Sequence, residues 1–129
     1  MTDFAAMIPF AATLGIRVDS AAPTEVVGSL DWNPDQTTTG GGMHGGALMS
    51  LADTVGAVCA FLNLPAGAGT STTSSSTVFL RGVRAGTVVA TARPLHVGRS
   101  TIAVTTEVRD GDGKLVAQVT QSQAVLGAR

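Results

Sequence analysis

Apolar residues at Phe4, Met7, Ile8, Phe10 and Ala11 recur at helical spacing, so residues 3–14 predict a short amphipathic helix closed by Gly15. Residues 16–31 read as two short strands broken near Ala22-Pro23. From 33 to 46 the chain is rich in Pro, Thr and Gly, fits neither period, and predicts a loop. The strongest pattern follows at 45–62. It predicts a helix of about 27 Å that stops before Pro65 and the turn at 66–69. At helical spacing Leu48, Leu51, Val55, Val58, Cys59 and Leu62 share one broad stripe, while Gly46, Ser50, Asp53, Ala57 and Ala60 fall on the opposite side.

Three further stretches carry strand character: 70–80, rich in Thr and Ser; 87–97, rich in Val and Ala; and 101–109, with Ile102, Val104 and Val108 inward. Asp110-Gly111-Asp112-Gly113 supplies Asp-Gly turn chemistry, which makes 115–126 the return strand of a hairpin. The order is helix, two strands, long helix, four strands. That order predicts the α+β class, with an antiparallel sheet on one long helix rather than alternating parallel units. The chain of 129 residues fits one domain, 1–129. One helix covers only part of a sheet face, so pairing of two such units is expected.

Composition strengthens that expectation. Apolar residues make up 44% of the chain and charged residues 13%, too few charges to clothe a small domain, so a homo-oligomer is expected. The formal net charge of -1 argues against capture of nucleic acid, which needs a strongly basic face. Among the basic residues only Arg17 precedes Arg81. The basic second half either holds a small anionic ligand or reflects solvated strand faces. A lone cysteine, Cys59, excludes an internal disulfide framework and favours a reducing, cytoplasmic compartment. No stretch approaches the roughly 20 apolar residues that span a bilayer, so neither export nor insertion is expected.

Between Asp35 and Arg81 the sole charged side chain is Asp53. A carboxylate kept among small, apolar and hydroxyl residues is a candidate base or nucleophile; the competing reading is a solvent-facing Asp on a helix surface. Just upstream, Gly40-Gly41-Gly42-Met43-His44-Gly45-Gly46 leads into the long helix. The amides of a first helical turn lack partners and lie at the positive end of the dipole, which suits them to polarise a carbonyl or hold an oxyanion. His44 and His96 are too few for a metal site. Ser50 lies on the helix and not on a Gly-x-Ser-x-Gly elbow, which disfavours a Ser-His-Asp triad.

The run His44-Gly45-Gly46-Ala47-Leu48-Met49-Ser50-Leu51-Ala52-Asp53 resembles the helix-opening signature of hotdog-fold acyl-CoA thioesterases, specifically the phenylacetic-acid-degradation type and its 4-hydroxybenzoyl-CoA relatives. The similarity extends through Thr77-Val78-Phe79-Leu80-Arg81, His96-Val97-Gly98-Arg99-Ser100 and Asp112-Gly113-Lys114-Leu115-Val116-Ala117. The resemblance implies an acyl-CoA substrate, no cofactor beyond the coenzyme A of that substrate, and a homodimer or homotetramer with shared active sites. It implies Asp53 as base or nucleophile, contributed across the subunit interface, and the Gly45 amide, aided by Gly46, as the group that polarises the carbonyl.

Relatives carry Asn or Gln six residues before the histidine, where this chain has Thr38. A threonine is shorter, so either water fills the gap, Gln36 swings in, or activity is lowered or redirected; Thr38 is taken as the candidate. By the same transfer Thr72 is a hydroxyl near the acid, Arg99 lies beside the coenzyme A groove, and His44 joins the substrate-binding set. Two other readings stand beside hydrolysis. Thr38 in place of an amide motivates a non-catalytic acyl-CoA binder or scaffold. Asp31-Trp32-Asn33-Pro34-Asp35-Gln36 resembles, weakly, the enoyl-thioester hydratase branch, although the histidine expected there is missing. The acyl group stays open, with Phe61 and Phe79 as candidate pocket residues.

Overall fold

A computed structural model describes residues 2–127. The N-terminal segment makes two helices, α1 (Phe4–Met7) and α2 (Pro9–Leu14), where the apolar spacing alone predicts one. Pro9 is the cause. It has no amide hydrogen to donate back, and its ring forces the preceding Ile8 into extended backbone (φ -113, ψ 99). Gly15 closes α2 as expected, in the left-handed conformation at φ 84.

Strands β1 (Arg17–Ala22) and β2 (Glu25–Asp31) form a hairpin, followed by a loop and the long helix α3 (Gly45–Phe61). Then come β3 (Gly69–Phe79), β4 (Thr87–Val97), β5 (Thr101–Arg109) and β6 (Leu115–Leu126). All pairings are antiparallel, and the sheet order is β1-β2-β4-β5-β6-β3. The α+β expectation, a sheet wrapped on one long helix, is what the chain adopts. After α3 the chain goes to the far edge of the sheet as β3 and returns to lie beside β2 as β4. Both β1 and β3 therefore pair on one side only.

The sheet curves around α3, so the helix is buried on more sides than a flat sheet would cover. Leu51, Val55 and Cys59 have no exposed surface, as the stripe predicts, but neither does Ala60, which the pattern placed on the open side. Leu62, assigned to the stripe, is only half-buried. What stays open is a strip of α3 with Met49 and Asp53 exposed and Gly46, Ser50 and Ala57 half-buried. Burial pushes the Cys59 thiol up to about 11, so this side chain packs and does not attack.

Helix and sheet meet most closely at Gly28 in β2. A Cβ there would stand 2.5 Å from Val55 Cγ2 and 2.7 Å from the Arg17 carbonyl oxygen, and the second of these is backbone. Gly28→Ala is expected to destabilise the protein by about 3 kcal/mol through overpacking. That lowers the thermal midpoint by about 10 °C in a domain of this size. Circular dichroism melting checks it, and an unchanged midpoint would mean that α3 does not press on the β2 backbone. No helix among the described residues is long and apolar enough to cross a membrane.

Candidate functional site

Two points on α3 bear candidate groups, its first residue and its middle. The entrance is held from several sides. Gly40 and Gly41 adopt positive φ (88 and 86), which the chain takes without strain only because both lack a Cβ. The Trp32 indole N–H donates to the Gly41 carbonyl at 3.0 Å, and the Arg84 guanidinium donates to the Gly40 carbonyl. The Met43 and His44 N–H groups donate to the Val83 and Gln36 carbonyls at 2.7 and 2.8 Å. The glycine run is thus a fixed loop and not a flexible linker.

His44 caps the helix. Its Nδ1 accepts from the Gly46 N–H at 2.8 Å, and a Cβ at Gly46 would stand 2.9 Å from that nitrogen, so the cap needs glycine there. This bond occupies the Gly46 amide. The Gly45 N–H, by contrast, donates to no group among the described residues. It is the open amide at the positive end of a 17-residue helix. The Phe79 ring lies against it, 3.1 Å from where a Gly45 Cβ would be.

Midway along α3, Asp53 is exposed, and its Oδ1 accepts two hydrogen bonds. One comes from the Thr72 hydroxyl on β3 at 2.8 Å, the other from Gln121 Nε2 on β6 at 2.9 Å. Gln123 Nε2 donates in turn to the Thr72 hydroxyl at 2.6 Å. Asp53 Oδ2 has no partner among the described residues. The structure therefore brings Thr72 to Asp53. Sequence reasoning missed Gln121 and Gln123, although a signal existed: they fall in phase with Ala117 and Val119 on β6, and all four are buried.

None of the other candidates hydrogen-bonds to the carboxylate. Thr38 sits in an exposed turn, where its N–H donates to the Gly42 carbonyl at 2.9 Å and its hydroxyl has no partner among the described residues. Gln36 instead lines a cavity of about 360 Å³ beside the helix entrance, together with Phe10, Leu14, His44, Ala47 and Ser50. Its Nε2 donates to the Leu14 carbonyl at 2.9 Å, and its Oε1 is buried without a partner. Arg99 is exposed just beyond β4 and hydrogen-bonds to none of these residues. Phe61 packs edge-on against Phe4, with ring centroids 6.3 Å apart, at the end of α3 opposite Phe79, so the two aromatics do not share a pocket wall. Among the described residues no three His, Cys, Asp or Glu side chains cluster as metal ligands would.

An antiparallel sheet wrapped on one long central helix defines a hotdog-fold protein. The thioesterase superfamily profile matches residues 40–117, and the chain belongs to that family. It is similar in structure to a thioesterase of Haemophilus influenzae, at 25% identity and TM-score 0.87 over 91% of this chain and 82% of that one. A thioesterase of Pseudomonas aeruginosa, solved as a glutamine-to-alanine variant, matches at 27% identity and TM-score 0.87 over 91% and 85% of the two chains. A Mycobacterium tuberculosis protein with a provisional esterase name matches at 28% identity and TM-score 0.90 over 95% and 99%. Thioester hydrolysis is the general activity that these relationships support.

Proposed function

We propose that the chain hydrolyses acyl-CoA thioesters, in the manner of the phenylacetic-acid-degradation type, at sites shared between two copies of itself. One observation carries the reading. The same helix bears an open first-turn amide at Gly45 and a carboxylate at Asp53 with one oxygen tethered and the other free. Eight residues separate them, about 12 Å along the axis, too far for one chain's pair to grip one carbonyl. A second copy, packed antiparallel, would bring its Asp53 to the first copy's Gly45. The exposed Met49 on α3 and Val78, Phe79 and Leu80 at the end of β3 offer apolar surface for that partner. Homodimer and homotetramer both satisfy the requirement.

In the proposed reaction the thioester oxygen accepts from the Gly45 N–H as negative charge grows on it. Asp53 either takes a proton from water, which attacks the carbonyl carbon, or attacks that carbon itself to give a mixed anhydride that water then opens. In both routes the carbon–sulfur bond breaks and the thiolate leaves. A thiol is far more acidic than an alcohol and leaves readily as its anion, so the reaction needs no strong general acid, no metal and no redox cofactor. Gln36 or Thr38 would orient the water, and Arg99 would meet a phosphate of coenzyme A. The lone, inert thiol of Cys59 suits the cytoplasm.

Phenylacetyl-, hydroxybenzoyl- and straight-chain acyl-CoAs, assayed for thiol release, test the reading. At least one is expected to yield free coenzyme A and free acid in equal amounts. The exposed, unpartnered Thr38 hydroxyl favours the second reading, a binder without turnover. Saturable coenzyme A binding with no thiol released from any substrate would establish that reading instead. Loss of an enoyl double bond without thiol release would point to hydration.

A further inference from the structure

We infer that Gln121 is a positioning residue for the reaction: its carboxamide fixes the orientation of the Asp53 carboxylate, and Gly56 exists to seat it. The inference rests on the hydrolase reading above and adds to it a residue on β6. Gln121 is 1% exposed, yet its Oε1 has no hydrogen-bond partner. A buried carboxamide with a bare oxygen is unfavourable, and Ala117 and Val119, in the same phase of the strand, show that apolar side chains fill this face. The helix concedes something as well. A Cβ at Gly56 would stand 2.0 Å from Gln121 Oε1, so α3 carries glycine in mid-helix, where it is poorly suited, at the point where the glutamine enters.

Two local rules are broken on two elements, and both breaches serve one contact, the 2.9 Å bond from Gln121 Nε2 to Asp53 Oδ1. With Thr72 alone the carboxylate could swivel about its terminal torsion. With both donors on Oδ1 the plane is set and Oδ2 is the single oxygen left to meet water or substrate. Gln123, fully buried, holds Thr72 by its 2.6 Å bond and is itself bonded by the Thr70 hydroxyl at 3.1 Å. The hold on Asp53 is thus anchored two residues deep along β6.

The test compares wild type with Gln121→Met, which keeps length and removes the donor, on whichever acyl-CoA the wild type turns over. The expected result is a kcat lower by about 10- to 100-fold with KM changed by less than about threefold, and a thermal midpoint no lower than wild type. Gln121→Asn keeps the carboxamide but is one methylene short; it is expected to show the same kinetic loss and serves if the Met variant does not fold. The decisive readout is the double variant. In an Asp53→Asn background Gln121→Met is expected to change kcat by less than about twofold, because the group it orients is gone.

A folded Gln121 variant with wild-type kcat overturns the inference. So does an undiminished effect of Gln121→Met in the Asp53→Asn background, and so does failure of both single variants to fold, which would make Gln121 a packing residue. Failure of the underlying reading looks different: Asp53→Asn would itself retain wild-type turnover.

Discussion

Asp53→Asn is expected to lower thioester hydrolysis by about two or more orders of magnitude while the protein stays folded. The substitution is nearly isosteric. An asparagine oxygen can accept from Thr72 and Gln121 just as Oδ1 does, so the link among α3, β3 and β6 survives. What disappears is the free oxygen, replaced by an amide nitrogen that can neither take a proton from water nor attack a carbonyl. Asp53 is exposed, so stability is expected to change by no more than about 0.5 kcal/mol. Thiol-release kinetics read beside a thermal melt check both halves of the expectation. Undiminished turnover would end the role of the carboxylate.

Gly45→Pro is expected to be as damaging, about 10²- to 10³-fold in kcat, for a different reason: it deletes the first-turn amide of α3 that has no partner among the described residues. Proline is well tolerated as the first residue of a helix. The residue before it must be extended, and His44 already is, at φ -62 and ψ 135. No internal hydrogen bond among the described residues is lost, because the Gly45 N–H makes none. The Cβ of the new residue would stand 3.1 Å from the Phe79 ring, so that half-exposed side chain must move by a few tenths of an ångström to admit it. Mixing the two inactive proteins supplies the check on shared sites. If each site draws Gly45 from one copy and Asp53 from the other, re-assorted mixed pairs contain one intact site, and about a quarter of the wild-type rate returns on statistical grounds for a two-fold dimer. No recovery would place both groups of each site within a single chain.

The helix and its entrance were legible because their signals are local. A period of 3.6 runs unbroken through α3, and the glycine run marks its start. At the N-terminus the apolar spacing predicts one helix where Pro9 makes two, since spacing says nothing about a missing amide hydrogen. Ala60 was misplaced because a helical wheel assumes one covered face, whereas a curved sheet covers several. The partners of Asp53 were the hardest to see. Thr72 came from resemblance, and Gln121 stands 68 residues away on the last strand, where only the strand alternation hints that a glutamine points inward. Strand order, which decides that β3 and β6 flank one another beside the acid, is a long-range property with no local trace. Resemblance points to Thr38, whereas Gln36 lines the cavity and the Thr38 backbone closes a turn with Gly41 and Gly42.

The outer border of β3 governs how the chain fares in a crowded solution. Its 11 residues pair with β6 on one side only, and apart from a bulge at Thr73 no proline or charged residue interrupts them. Natural sheets commonly guard such a border, because bare amides and carbonyls in a row act as a template for any passing extended segment. A newly made copy therefore carries a sticky margin until something takes its place there. Its safety from clumping is a race between finding the right mate and meeting a wrong one, and dilution or a folding delay tilts that race the wrong way.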